Sequence, residues 1–354
     1  MKYNLKDLNE KVEQALRNCL SRVPFARIEE ITIPQTGNPS PDMIATISTP
    51  EGEKLLLVEI KINGQPRIAR HAVNQLWRHL ETFADSYGVF SAPYISPKAA
   101  EICVQENIGY LDLAGNGRLA FDKVYIERTG NPNPFAEKRD LRSLYSPKAS
   151  RVLRVLLAKP KKTWKVQNLA KEARVSLGEV SNVKKLLHDR EWTQILPGGF
   201  TLAEPESLLS EWAQNYHYRK NKTYDFYSLK PVPEIEYDIA KTCDDLNLKY
   251  ALTGFSAAAR LAPAVRYHRA MAYVQSLDHA LLERLNLKET PTGANVTLLV
   301  PHDDGVFYGA AQFDEVQIVS AIQVYLDLLH FPARGEEAAK ALFDKVIKPG
   351  WQTE

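Results

Sequence analysis

The sequence predicts a multidomain α/β protein, and three observations carry that reading. A chain of 354 residues is longer than one hydrophobic core usually organises. Strand-like and helix-like runs alternate over the first 130 residues and again from about residue 235. Between them, residues 147–203 change to three short helical patterns ending in ILPGGFTLA, which reads as a small hairpin. The expected domains are therefore 1–130, 146–204 and 235–354.

Composition narrows the function classes before any motif is read. Hydrophobic residues at 44% and charged residues at 25% are ordinary globular values, which excludes wholesale disorder. Forty-five basic against forty-three acidic residues leave +2, so a uniformly polycationic binder is excluded while a local basic patch is not. Cys19, Cys103 and Cys243 lie far apart without a CxxC pair. No disulfide framework or zinc finger is readable, and a reducing cytosol suits such usage. The opening MKYNLKDLNEKVEQAL lacks the apolar block of a signal peptide, and no stretch approaches the roughly 20 apolar residues of a membrane span. A cytoplasmic protein with no membrane partner is expected.

In the first domain, Leu5, Leu8, Val12, Ala15, Leu16 and Leu20 fall on one face of a helix. The strand-like runs ARIEEITIP, DMIATIST and KLLLVEIKI follow, the last two joined by the turn PEGE. A helix over about 68–84 leads to YGVFSAPYIS. Pro97 then opens a helix through KAAEICVQEN, with GYLDLAG and RLAFDKVYIER as further strands. The Pro-, Asn- and charge-rich TGNPNPFAEKRDLRSLYSP closes the domain as a linker.

Within that sheet Asp42 stands at the entrance to one strand, while Glu59 and Lys61 share a face of the next. A hairpin brings Asp42 beside Glu59. Two carboxylates and a lysine so placed suit phosphodiester hydrolysis: the carboxylates hold Mg²⁺, and the lysine orients water and offsets developing charge. The bland alternative is a solvated charge pattern on an apolar strand. The string PDMIATISTPEGEKLLLVEIKI and the order of elements resemble the PD-(D/E)xK restriction-endonuclease-like superfamily. That resemblance implies Asp42, Glu59 and Lys61 as a catalytic trio, Glu13 as an extra metal ligand beside Asp42 and Glu59, and Gln75 as a weaker auxiliary. Asp112 in GYLDLAGN reads first as part of a tight strand connection.

The central segment is where charge stops balancing. From Ser146 to Trp192, twelve cations face only Glu172, Glu179, Asp189 and Glu191, an excess of eight positive charges and the footprint of phosphate binding. SRVLRVLLAKP, KVQNLAKEARV and SLGEVSNVKKLLHDREW follow helix-turn-helix grammar, and Gly198–Gly199 turns a wing. The third helix then presents Ser176, Glu179, Ser181, Asn182, Lys184 and Lys185 to double-stranded DNA, with Lys161, Lys162 and Lys165 beside it. Asn182 suits an adenine edge, and the lysines suit phosphates. The competing reading is a module for protein contacts. Trp164, Trp192 and Trp212 read as core and joint residues.

The polar, aromatic HYRKNKTYDFYSLKPVPE reads as a second joint. Beyond it, YALTGFSAAAR has the strand, Gly-x-Ser turn and helix of a nucleotidyltransferase, but the next strand, AMAYVQS, lacks the acidic pair such an enzyme needs for metal. Gly254 is accordingly expected as a turn residue. GYLDLAGN, the winged helix, YALTGFSAAARLAP and VSAIQVYLDLLHFPARGEEAAKAL together resemble the AbiEi antitoxins of type IV toxin–antitoxin systems. The C-terminal motif is Gln323-x-Tyr325-x-Asp327 with Arg334-Gly335-Glu336-Glu337. The resemblance implies a winged-helix repressor of its own operon that counteracts a nucleotidyltransferase-like toxin encoded nearby, with a degenerate nucleotidyltransferase-like C-terminal domain. A homodimer is expected from the pairing of such repressors with palindromic sites. A Mg²⁺-dependent endonuclease targeted by the winged helix, and an interaction scaffold, remain alternatives.

Overall fold

The computed structural model describes residues 5–21, 23–34, 40–134, 144–290, 292–332 and 334–353, without the side chains of Leu5 and Lys6. Residues 135–143 of the expected linker and the side chain of Leu5 thus lie outside the described residues. The chain divides into two compact units: Met1–Arg142 with Leu186–Glu191, and Ser143–Lys185 with Trp192–Glu354.

The first unit begins with α1 (Leu5–Leu20), followed by β1 (Arg27–Thr32), β2 (Met43–Thr49) and β3 (Gly52–Ile60). Next come α2 (Pro66–Leu80), β4 (Ser86–Ala92), α3 (Pro97–Gln105), β5 (Gly109–Asp112), β6 (Gly117–Phe121) and β7 (Val124–Arg128). The seven strands form one sheet in sequence order. The β1–β3 meander is antiparallel, β3, β4 and β5 run parallel through the two helical crossovers, and β5–β7 are antiparallel again. Period-two alternation on β2 buries Met43, Ala45 and Ile47 under Leu8, Val12, Leu16 and Leu20 of α1. The opposite face carries Leu57 and Phe90 against Ala69, Val73 and Leu76 of α2 and Ala99 and Ile102 of α3. Proline at the first turn starts both crossover helices, where its missing N–H costs nothing, and Ser96 caps α3 by accepting from the Ala99 amide at 3.3 Å.

The second unit opens with α4 (Pro147–Ala158), α5 (Val166–Ala173), α6 (Leu177–Asp189) as far as Lys185, and the hairpin of β8 (Thr193–Leu196) and β9 (Gly199–Leu202). Arg174, at φ 53°, ends α5 in the left-handed conformation. Ser176 then accepts from the Glu179 amide at 3.1 Å, starting α6 with the Ser-x-x-Glu capping pattern. Val152, Leu153, Leu156, Leu169, Val180, Val183 and Phe200 fill the interior. The backbones of Trp164 and Phe200 exchange hydrogen bonds of 2.8 and 3.1 Å, tying the hairpin to the α4–α5 loop. A Cβ on Gly199 would run into the Trp164 carbonyl, so only glycine permits this approach.

The rest of the unit is built on α7 (Pro205–Asn215), β10 (Lys222–Tyr227), α8 (Val232–Asp245), β11 (Tyr250–Leu252), α9 (Gly254–Leu261) and β12 (Ala270–Val274). It continues through α10 (His279–Leu285), β13 (Lys288–Glu289), β14 (Val296–Val300), β15 (Ala311–Phe313) and β16 (Val316–Ile318). The helices α11 (Ala321–Leu329), α12 (Gly335–Leu342) and α13 (Lys348–Thr353) close the chain. A mixed seven-stranded sheet takes the order β13-β10-β14-β12-β11-β16-β15. The expected joint is therefore no plain connector. It contains β10, which lies between β13 and β14 and buries Phe226. Lysines on both flanks hide this short aromatic strand from a reading of composition. Among the described residues no helix is long and apolar enough to cross a membrane.

Candidate functional site

The outward surface of the three-helix module is built from its capping and packing pattern. Burying Val180 and Val183 turns Ser181, Asn182 and Lys185 of α6 outward, and all three are exposed, as is Ser176 at its cap. Lys184 is half-buried, its ammonium 5.1 Å from the Phe200 ring centroid. Lys162 lies 4.0 Å from the Trp164 ring centroid. Lys165 is exposed just ahead of α5. Lys161, also exposed, donates to the Gln352 carbonyl at 2.7 Å and is partly engaged within the chain.

Two of the twelve central cations do not belong to this surface. Arg151 grips Asp303 through Nε and Nη2 at 2.8–3.1 Å. Arg154 is only 4% exposed, donates to Gln323 Oε1 at 3.1 and 2.6 Å, and lies 5.0 Å from the Trp212 ring centroid. Counting charge along the sequence overstates the patch, because α4 turns these arginines towards the β-sheet part of the same unit.

Arg154 heads a buried network that absorbs the C-terminal motif. One helical turn apart on α11, Gln323 and Asp327 are both fully buried. The Gln323 carbonyl accepts from Arg154, and its amide donates to Asp327 Oδ1 at 3.0 Å. Asp327 also accepts from Tyr216 at 2.6 Å, Tyr273 at 3.0 Å and Thr253 at 2.5 Å. Burial pushes the Asp327 carboxyl above its ordinary range against the pull of these four donors, and lowers the Arg154 guanidinium. Sequence spacing marked Gln323 and Asp327 but held no sign of Arg154, 169 positions earlier. Tyr325 points away from this network and packs on Phe343, centroids 6.0 Å apart. Arg334 pairs with Glu337 on the surface.

The Gly-x-Ser turn is likewise structural. Gly254 sits at φ 54°, where a Cβ would come within 2.6 Å of Met271 Sδ, and Ser256 Oγ accepts from the Met271 amide at 3.0 Å. Its hydroxyl fastens α9 to β12.

In the first unit, Met43 pairs with Val58, which sets Asp42 across from Glu59. Asp42 Oδ2 accepts from the Ile60 amide at 2.8 Å and from Lys61 Nζ at 3.3 Å, while Lys61 reaches Glu59 Oε2 at 2.5 Å. Sequence reasoning missed His79 of α2, whose Nε2 stands 3.1 Å from Glu59 Oε1. Burial raises the Glu59 carboxyl above its ordinary range, against the hydrogen bond from Lys61. Gln75, one turn before His79, has a buried side-chain carbonyl with no hydrogen-bond partner among the described residues. Glu13 pairs instead with Arg17 on its own helix at 2.9 Å. The donor set is thus two carboxylates already holding a lysine. Among the described residues, no group of three or more histidine, cysteine or acidic side chains is arranged to hold a metal ion. Asp112 is buried and accepts from Ile95, Asn116 and the Asn116 side chain at 2.8–3.2 Å, fixing the strand connection.

Residues 201–348 match the family model described as "Transcriptional regulator, AbiEi antitoxin, Type IV TA system". The match spans the last two residues of β9, all of α7 to α12 and the seven-stranded sheet of that unit, and leaves out α4–α6. No curated protein and no solved structure matches the chain.

Proposed function

We propose that the protein is a DNA-binding transcriptional regulator of the AbiEi antitoxin type. In this reading it represses its own operon and counteracts a nucleotidyltransferase-like toxin encoded nearby. The observation that carries the reading is the outward face of α6, with Ser181, Asn182, Lys184 and Lys185, on a three-helix-plus-hairpin module joined to an AbiEi-matching region. Such a module acts as a winged helix: α6 enters the major groove, Asn182 meets base edges, and the lysines hold phosphates. The full chain is expected to shift a duplex carrying its own upstream region in the presence of EDTA. Equal retention of a duplex at low and high salt, or none at low salt, would refute the reading.

The juxtaposition of Asp42, Glu59 and Lys61 favours a second reading, a Mg²⁺-dependent endonuclease with Lys61 orienting water. Cleavage that requires Mg²⁺ or Mn²⁺ and disappears in Lys61→Ala supports it. No cleavage across metals and substrates removes it.

A further inference from the structure

The first turn of α6 carries two residues that the fold itself does not call for. Leu177 is 52% exposed at the start of the helix. Gly178, the next residue, has ordinary helical backbone, and a Cβ there would meet only Ser176 Oγ at 3.9 Å. Glycine in a helix costs about 1 kcal/mol relative to alanine. At Gly254 and Gly199 a close internal neighbour explains the glycine, whereas at Gly178 nothing inside the protein does.

An open glycine beside an exposed leucine suits a surface that another molecule must approach to backbone distance. Its surroundings state what that molecule is. Ser181 and Asn182 continue the stripe one turn on, Lys184 and Lys185 close it, and Glu179, whose backbone amide donates to Ser176, is the acidic residue of the first turn. A partly apolar start followed by cations matches the edge of a base pair flanked by phosphates. The apolar feature in the major groove is the thymine methyl group.

Resting on the DNA-binding reading above, we propose that Leu177 and Gly178 form the base-reading step of α6. Leu177 takes a thymine 5-methyl group, and the missing side chain of Gly178 lets the helix seat deeply enough for that contact. This assigns specificity to the first turn and affinity to Lys184 and Lys185 further along the helix.

The test uses the full chain and a duplex that it selects from a random pool. Replacing the thymines by 2′-deoxyuridine removes only methyl groups. Wild-type affinity should fall about fourfold for each methyl contacted, the worth of one buried carbon. That penalty should vanish in Leu177→Ala. Gly178→Ala should bind about tenfold more weakly, while its melting temperature holds or rises. Indifference of the wild type to uracil, a penalty that persists in Leu177→Ala, or full affinity of Gly178→Ala would each overturn the proposal. In those cases salt-dependent binding that is lost in the Lys184→Ala/Lys185→Ala double variant would leave the regulator reading standing. A wild type that selects no duplex would end both.

Discussion

The helices α4 and α6 come from one short module and each carries cations, yet they place them oppositely. On α4, Arg151 and Arg154 each find an acceptor inside the unit, Asp303 for one and Gln323 for the other. On α6, Lys185 is exposed and Lys184 is only half-covered by the wing, with no carboxylate within salt-bridge distance of either among the described residues. The difference teaches that a basic segment has two chemistries. Cations that meet acceptors at fixed geometry hold parts of a fold together, and cations left at the surface are available to a polyanion.

Variants that break the α4 side should have the largest effect, and on stability. Asp327→Ala removes the acceptor of four donors, for a predicted loss of about 3–5 kcal/mol, measurable by denaturant unfolding. Arg154→Ala should cost about 3 kcal/mol for the same reason, since it leaves the Gln323 carbonyl unmet. A loss below about 1 kcal/mol in both would mean that the network contributes little.

On the α6 side the effect should fall on binding alone. Lys184→Ala with Lys185→Ala should reduce affinity for duplex DNA about tenfold. It should also flatten the slope of log affinity against log salt by about 2, near the −0.9 per phosphate contact of duplex DNA. Melting temperature should stay within the scatter of surface substitutions. Arg151→Ala is intermediate, since its pair with Asp303 is partly exposed: about 1 kcal/mol of stability and no change in the salt slope.

The smallest effect concerns pH. Asp327 has a folded-state carboxyl raised above its ordinary 3.8 by burial. The folded protein therefore holds this proton more tightly than the unfolded chain does. The stability tied to it is full below 3.8 and is lost as pH rises through the raised value. The stability gap between wild type and Asp327→Asn should shift against the wild type between acid and neutral pH. A gap constant across that range would contradict the assigned direction.

Much of the molecule was legible because it follows local rules. The period-two pattern of Met43, Ala45 and Ile47, the prolines that open α2 and α3, and the 17-residue spacing of Asp42 and Glu59 each express geometry that a sequence records directly. Long-range contacts were not legible. Nothing near Glu59 announces His79, and nothing near Arg154 announces Gln323, because both partners arrive through tertiary packing. The strand β10 was hidden by its charged flanks. Glu13 was carried over by resemblance, but in this chain it pairs with Arg17.

The central claim, that charge left exposed on α6 serves duplex phosphates, is tested most directly by titrating the full chain against duplex DNA in EDTA over a series of salt concentrations. The account predicts affinity that falls linearly on logarithmic axes, with a slope made shallower by the Lys184→Ala/Lys185→Ala double variant. An affinity independent of salt, or a slope unchanged in that variant, would contradict it.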